Sequence, residues 1–232
     1  MSPLYRILEF LFPRYCPVCG ERLSITEQHL CVLCLVNLPM TKLCGDPYNK
    51  LMDKFLLKSD IKRASALMRY VPGSPNTNIV KKIKYKDGQT LAVYMGRMMA
   101  ETHAPFGFFN GIDLIIPVPL TRKRRNHRGY NQTELLAKGV SEITNIPIDN
   151  VSVVRRQWKV SQTQLNVMQR SENVKDAFDC VKPENLNGKH ILLIDDVVTT
   201  GSTLLSLADS IVAKTSDVKF SILTLAITAE IA

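Results

Sequence analysis

The chain lacks any apolar run long enough to cross a bilayer, which removes a helical membrane span from the expected architecture. Leu4 to Phe12 is apolar but short, and Arg6 and Glu9 interrupt it. No small-residue cleavage site follows it, so a secretory signal is not expected and a cytoplasmic setting is. Aromatic residues are scarce, at 7%, and do not alternate with the basic residues. That argues against a single-stranded nucleic-acid binder built on stacking platforms. Acidic residues are in deficit, 21 against 30 Lys and Arg, for a net charge of +9. Such a balance fits an anionic partner, either a polyphosphorylated small molecule or nucleic acid. No single residue stands out as a general base. What remains is ordinary for a globular protein, 45% hydrophobic and 22% charged. The 232 residues suffice for one sizeable domain plus a small module.

The six cysteines are not spread as a disulfide framework would be. Four form two C-x-x-C pairs, Cys16 with Cys19 and Cys31 with Cys34, eleven residues apart. Each pair sets two thiolates on one tight turn, and two such turns complete a tetrahedron around Zn²⁺. Four thiolates leave no open position, so the spacing points to a structural zinc site. His29 and Cys44 lie near enough in sequence to be weighed as substitute ligands, but a surface histidine and a lone thiol are the simpler expectation. Cys180, far from the others, reads as a small buried hydrophobe. Few basic residues separate the two pairs, so a structural or docking role is as natural for this module as contact with DNA.

The most informative stretch runs from Ile191 to Thr203. Four apolar residues, Ile191 to Ile194, read as a strand buried on both faces. Asp195 and Asp196 then fall where that strand should end. Thr199, Thr200, Gly201, Ser202 and Thr203 form a hydroxyl-rich turn, followed by Leu204, Leu205, Leu207, Ala208, Ile211 and Val212 at helical spacing. Free N–H groups at a helix N-terminus make a phosphate site, and Gly201 lets backbone approach the ligand. The two carboxylates would repel phosphate; they suit sugar hydroxyls, a cation or a developing positive charge.

A second strand, Ile112 to Pro119, leads into a basic loop carrying Arg122, Lys123, Arg124, Arg125 and Arg128, and a helix follows through Leu135, Leu136, Val140 and Ile143. Cations at the carboxyl end of a strand are well placed for a pyrophosphate. A solvated nucleic-acid patch is the competing reading. Earlier in the chain, Leu51, Met52, Phe55 and Leu56 suggest a short helix and Ala64 to Val71 a strand. Two further helices are expected over Asn76 to Tyr85 and Gln89 to Glu101, with Met95, Met98 and Met99 inward. The turn from Lys84 to Gly88 reads as a solvated helix end, and Phe106, Phe108 and Phe109 as anchors for a loop. Val151 to Arg155 is a third short strand. The polar segment from Arg156 to Leu165 has the character of a lid, and Val218 to Ile227 completes the sheet.

The stretch from Ile191 to Thr203 resembles the signature of the type I phosphoribosyltransferases. The whole order of features is similar to the ComF family of competence-associated phosphoribosyltransferase-like proteins. It comprises a two-knuckle cysteine module, Pro117-Val118-Pro119 with a basic stretch, Arg128-Gly129-Tyr130-Asn131-Gln132, Gln162-Thr163-Gln164-Leu165 with Arg170 and Asn173, then the phosphoribosyl motif. The resemblance implies an α/β type I phosphoribosyltransferase fold, doubly wound on a mainly parallel sheet, with a small zinc-ribbon-like module. It divides the chain into a four-cysteine module over 1–45, bridging helices and a first strand over 46–110, and a core over 111–232. Carried onto this sequence, Asp195 and Asp196 would contact ribose, and Thr199, Thr200, Gly201, Ser202 and Thr203 the 5′-phosphate of phosphoribosyl pyrophosphate. Arg122, Arg124, Arg125 and Arg128 would hold the pyrophosphate with Mg²⁺. The implied activity is phosphoribosyl transfer, a glycosyltransferase reaction with an open acceptor, in natural transformation and the handling of imported DNA. The alternative is a non-catalytic sensor of the sugar phosphate, or an adaptor for single-stranded DNA or a competence helicase. A homodimer is one candidate assembly.

Overall fold

The apolar run at Ile191 belongs to a strand with both faces covered, and the rest of the molecule is layered around it. The computed structural model describes residues 12–55, 60–156 and 177–228. Its strands are β1 (Ile61–Tyr70), β2 (Leu114–Pro117), β3 (Val153–Arg155), β4 (Phe178–Cys180), β5 (His190–Val198) and β6 (Lys219–Thr228). Its α-helices are α1 (Val32–Val36), α2 (Lys50–Asp53), α3 (Thr77–Lys82), α4 (Gln89–His103), α5 (Arg122–Arg128), α6 (Gln132–Thr144) and α7 (Ser202–Val212). Four strands make one parallel sheet in the order β1-β6-β5-β2, and β3 pairs antiparallel with β4 in a separate hairpin.

Alternation along β5 sends its side chains into two cores. Leu192 and Ile194 join Met95 and Met99 of α4 and Leu136 and Val140 of α6. Ile191 and Leu193 join Leu204, Leu207 and Ile211 of α7 and Val153 and Phe178 of the hairpin. Helices thus cover both faces, as a doubly wound sheet requires. The cysteine module is attached to the first of these cores through Cys16, Leu23, Leu30, Cys31 and Leu38.

Helices α4 and α6 cross with their backbones nearly touching. A Cβ at Gly96 would lie 2.1 Å from the Leu136 carbonyl oxygen, and one at Gly139 would lie 2.1 Å from that of Val93. Only glycine at both positions permits this approach, and it brings the start of α6 beside the carboxyl ends of the strands.

Several expectations are corrected. The stretch expected as a basic loop is the helix α5. Thr121 caps it by accepting from the Arg124 N–H, and Gly129 ends it in the left-handed conformation, φ 80°. The strand expected over Val218 to Ile227 is β6, which lies inside the sheet between β1 and β5. The third short strand stands outside the main sheet, paired with β4, a strand too short to be anticipated. Among the loop aromatics, Phe108 is buried but Phe106 is exposed. Cys180 is buried, as expected. The helix anticipated over Asn76 to Tyr85 is the shorter α3. The anticipated lid, with Arg170 and Asn173, lies almost wholly outside the described residues, as do Leu4 to Leu11 and Leu56.

Candidate functional site

The four paired cysteines converge. Their sulfur atoms all lie within 4.8 Å of one another, and Cys19 and Cys31 Sγ are 3.7 Å apart. A tetrahedral zinc–tetrathiolate centre with Zn–S bonds near 2.3 Å has S···S edges of about 3.8 Å. The donor set and spacing therefore fit a metal such as zinc. Burial pushes the Cys16 thiol up, but backbone N–H groups at Cys19, Cys31 and Val18 outweigh it and bring the thiol down to about 7. Burial and the neighbouring thiols push Cys34 the other way. Four thiolates this close repel, and a dication removes that conflict. Neither His29 nor Cys44 joins the cluster. His29 instead packs against the Tyr94 ring, with centroids 5.2 Å apart.

The second site lies at the carboxyl edge of the sheet. The strand β5 runs on through Val198, so Asp195 and Asp196 sit inside its last residues, not beyond its end. Being adjacent on a strand, they face opposite sides. Asp196 accepts hydrogen bonds from Gln132 Nε2 at 3.0 Å and from its neighbour Val197 N–H at 2.7 Å, and Lys84 Nζ is 3.2 Å from its Oδ2. Asp195 accepts from the Asp196 N–H at 2.8 Å. Burial, then the Asp196 carboxylate, push the Asp195 carboxyl up to about 8, against smaller pulls from the Asp196 N–H, Arg155 and Lys84.

Beyond β5, residues Thr199 to Thr203 wrap a small hollow that Asp195 also borders. Gly201 adopts φ 79°, and a Cβ there would meet the Phe55 ring at 2.8 Å, so its backbone is held close to α2's flank. No side chain caps α7 at Gly201. Thr200 Oγ1 donates to Ser202 Oγ at 3.0 Å, which sets the hydroxyls in one cluster. The Thr200 hydroxyl also accepts from the Ser202 N–H at 3.4 Å, and a helix N-terminus with hydroxyls clustered about it is suited to an anion.

Helix α5 presents the basic residues beside this edge. Arg122 and Arg125, with Arg155 of β3, line a cavity of about 470 Å³ walled by Pro117, Pro119 and Val153. Arg125 forms a two-pronged pair with Glu134, at 3.1 and 3.3 Å. Arg128 Nη1 donates to Gln132 Oε1 at 2.9 Å, and Gln132 passes the contact on to Asp196. Basic helix and acidic strand are therefore joined through one amide, although the Gln132–Asp196 contact spans 64 positions of sequence.

Three residues of the site are not evident from sequence. Gln132 stands out there only as part of a motif. Lys84 reads as part of a solvated turn, yet its ammonium reaches Asp196. Arg155 reads as an ordinary strand residue, yet it lines the cavity with its guanidinium 5.1 Å from the Phe178 ring centre. The available signal is modest: a lysine beside a tyrosine in a polar turn, and an arginine closing a strand ahead of a polar segment.

Residues 131–225 match the family model described as a phosphoribosyl transferase domain. With the parallel, doubly wound sheet, this defines the class: a protein of the phosphoribosyltransferase fold, bearing at its N-terminus a four-cysteine cluster compatible with a zinc module. The chain is 31% identical to Competence protein F of Haemophilus influenzae over 201 residues, 83% of this chain and 76% of that protein. It is 29% identical over 197 residues to DNA utilization protein YhgH of Escherichia coli (strain K12), covering 83% of this chain and 75% of the other. Against Competence protein ComFC of Bacillus subtilis, identity is 32% over 91 residues, 39% of this chain and 35% of that one. The chain belongs to the ComF family of competence-associated, phosphoribosyltransferase-like proteins. No helix among its described residues is long and apolar enough to cross a membrane.

Proposed function

We propose that this protein binds phosphoribosyl pyrophosphate with Mg²⁺ at the carboxyl edge of the sheet, and that it uses the site in the handling of imported DNA. The observation that carries this is the continuous run of contacts from Arg128 through Gln132 to Asp196, beside the hydroxyl-lined start of α7. In this assignment the N–H groups and hydroxyls from Thr199 to Thr203 hold the 5′-phosphate. Asp195 and Asp196 accept hydrogen bonds from the ribose hydroxyls. Arg122, Arg124, Arg125 and Arg128, joined by Arg155, hold the pyrophosphate. The Asp195 and Asp196 carboxylates suit Mg²⁺, which when bound would neutralise the leaving pyrophosphate. The reaction class is transfer of the ribosyl group through an oxocarbenium-like transition state, by analogy with glycosyl transfer. The protein's own share is to position and to stabilise charge. The four-cysteine module over 1–45, filled with zinc, would be a folded docking unit in a reducing cytoplasm. Residues 46–110 would join it to the core over 111–232.

A second reading has its own support. Val32, Leu33 and Val36 of α1 are exposed on the cysteine module, which favours an adaptor docked on a protein of the DNA-uptake machinery, such as a helicase. In that case the pocket senses the sugar phosphate without turning it over. The discriminating experiment is exchange of labelled pyrophosphate into phosphoribosyl pyrophosphate, with a panel of nucleobases and amines. Exchange with one acceptor establishes the enzyme. Tight binding without exchange establishes the sensor.

A further inference from the structure

The salt bridge between Lys84 and Asp196 is unusual for its setting. Asp196 is only 9% exposed, and Gln132, Lys84 and the Val197 N–H all engage its carboxylate. Its Oδ2 is shared by Gln132 and Lys84. In the proposed site a sugar hydroxyl would donate to that carboxylate, or a divalent ion would bind it. Oδ1 already accepts the Val197 N–H, so either would compete with the ammonium at Oδ2. An ammonium and a dication are not stable side by side on one carboxylate oxygen, because their charges repel.

The backbone on both sides of Lys84 is fixed. The Tyr130 hydroxyl contacts the carbonyl oxygens of Ile83, at 2.7 Å, and of Tyr85. Tyr130 lies between α5 and α6, so the root of Lys84 is tied to the same junction that carries the arginines. What is free to move is the four-carbon stem, which swings a compact charge about a fixed base.

We infer that Lys84 is an exchanging cation: it holds Asp196 in the free protein and moves to the pyrophosphate when ribose and the divalent ion take that carboxylate. The inference rests on the phosphoribosyl pyrophosphate reading of the site and deepens it. It gives Lys84 two partners of the same sign of charge, one in each state. It also makes binding of the sugar depend on an anion further along the ligand that receives the displaced ammonium. A ligand without that anion must break the salt bridge with no replacement for it.

The test compares two ligands that share ribose and 5′-phosphate but differ in the pyrophosphate. Phosphoribosyl pyrophosphate and ribose 5-phosphate, each with Mg²⁺, are titrated calorimetrically into the full chain, its Lys84→Gln variant and its Lys84→Arg variant. The expected result is that Lys84→Gln weakens phosphoribosyl pyrophosphate by about tenfold or more. Ribose 5-phosphate affinity stays level or rises, because Asp196 is released. Lys84→Arg recovers most of the lost affinity. Equal weakening of both ligands would mean that Lys84 only supports the site, and would overturn the inference. So would unchanged affinity for phosphoribosyl pyrophosphate in Lys84→Gln, or tightening of both ligands, which would make Lys84 a mere obstruction. A wild-type chain that binds neither ligand overturns the reading of the site itself, and the exchange with it.

Discussion

Asp195 holds its proton far above the ordinary carboxylate range, and this can be read in the stability of the protein. Burial and the Asp196 carboxylate raise its carboxyl from 3.8 to about 8. In the unfolded chain the same carboxyl ionises near 3.9. Below pH 4 both states are protonated and Asp195 contributes nothing to the pH dependence. From pH 4 to about 8 the unfolded chain gives up the proton while the folded one keeps it. The unfolded state then binds fewer protons, so stability falls as pH rises and levels off above about pH 8. At about 1.4 kcal/mol per unit the ceiling is on the order of 5 kcal/mol, and solvent reaching Asp195 reduces it to a few. Asp195→Asn removes the titration while keeping the shape. Urea unfolding of both proteins at pH 5 and pH 8.5 should show a stability gain for the variant that is small at the first pH and larger by a few kcal/mol at the second. A gain that is the same at both values, or a loss at pH 8.5, would mean that Asp195 ionises in the folded chain as it does in the unfolded one.

Three further outcomes follow from the packing and the four-cysteine cluster. Gly139→Ala places a methyl against the Val93 carbonyl oxygen, at 2.1 Å before relaxation. It should cost more than about 3 kcal/mol or prevent folding, as measured by chemical denaturation. Gly201→Ala meets both a left-handed backbone and the Phe55 ring; a loss of about 1–3 kcal/mol in stability, with weaker sugar-phosphate binding by calorimetry, is expected, and adding Phe55→Leu should return part of the stability only. Cys16→Ser should release the metal and lower the melting temperature, so a metal content unchanged by elemental analysis would remove Cys16 from the ligand set.

Much of the architecture was legible because it is written in local patterns. The apolar run at Ile191 and the helical spacing after Ser202 specify β5 and α7 directly. The two cysteine pairs specify their own convergence, since each turn fixes two sulfurs. The basic stretch was less legible because consecutive charges carry no apolar periodicity. Its signals were at its ends, Thr121 as a cap and Gly129 as a stop. The position of β6 inside the sheet is set by crossovers between distant strands, and no local pattern carries that order. The same holds for Lys84 and Arg155. A lysine in a polar turn looks solvated in sequence, and only the α4–α6 crossing and the Tyr130 tether bring it to Asp196. The acidic pair was legible as a pair, but its division across two faces follows from β5 continuing to Val198.

The claim on which the rest depends is that the acidic pair and the loop after it form one sugar-phosphate site. Its most direct test is calorimetric titration of phosphoribosyl pyrophosphate with Mg²⁺ into the wild-type chain and into the Asp195→Asn, Asp196→Asn double variant, with metal content measured on both. Saturable binding by the wild type, lost in the variant while the cysteine-bound metal is retained, is the predicted result. Binding of equal strength in both proteins, or none in the wild type, would contradict it.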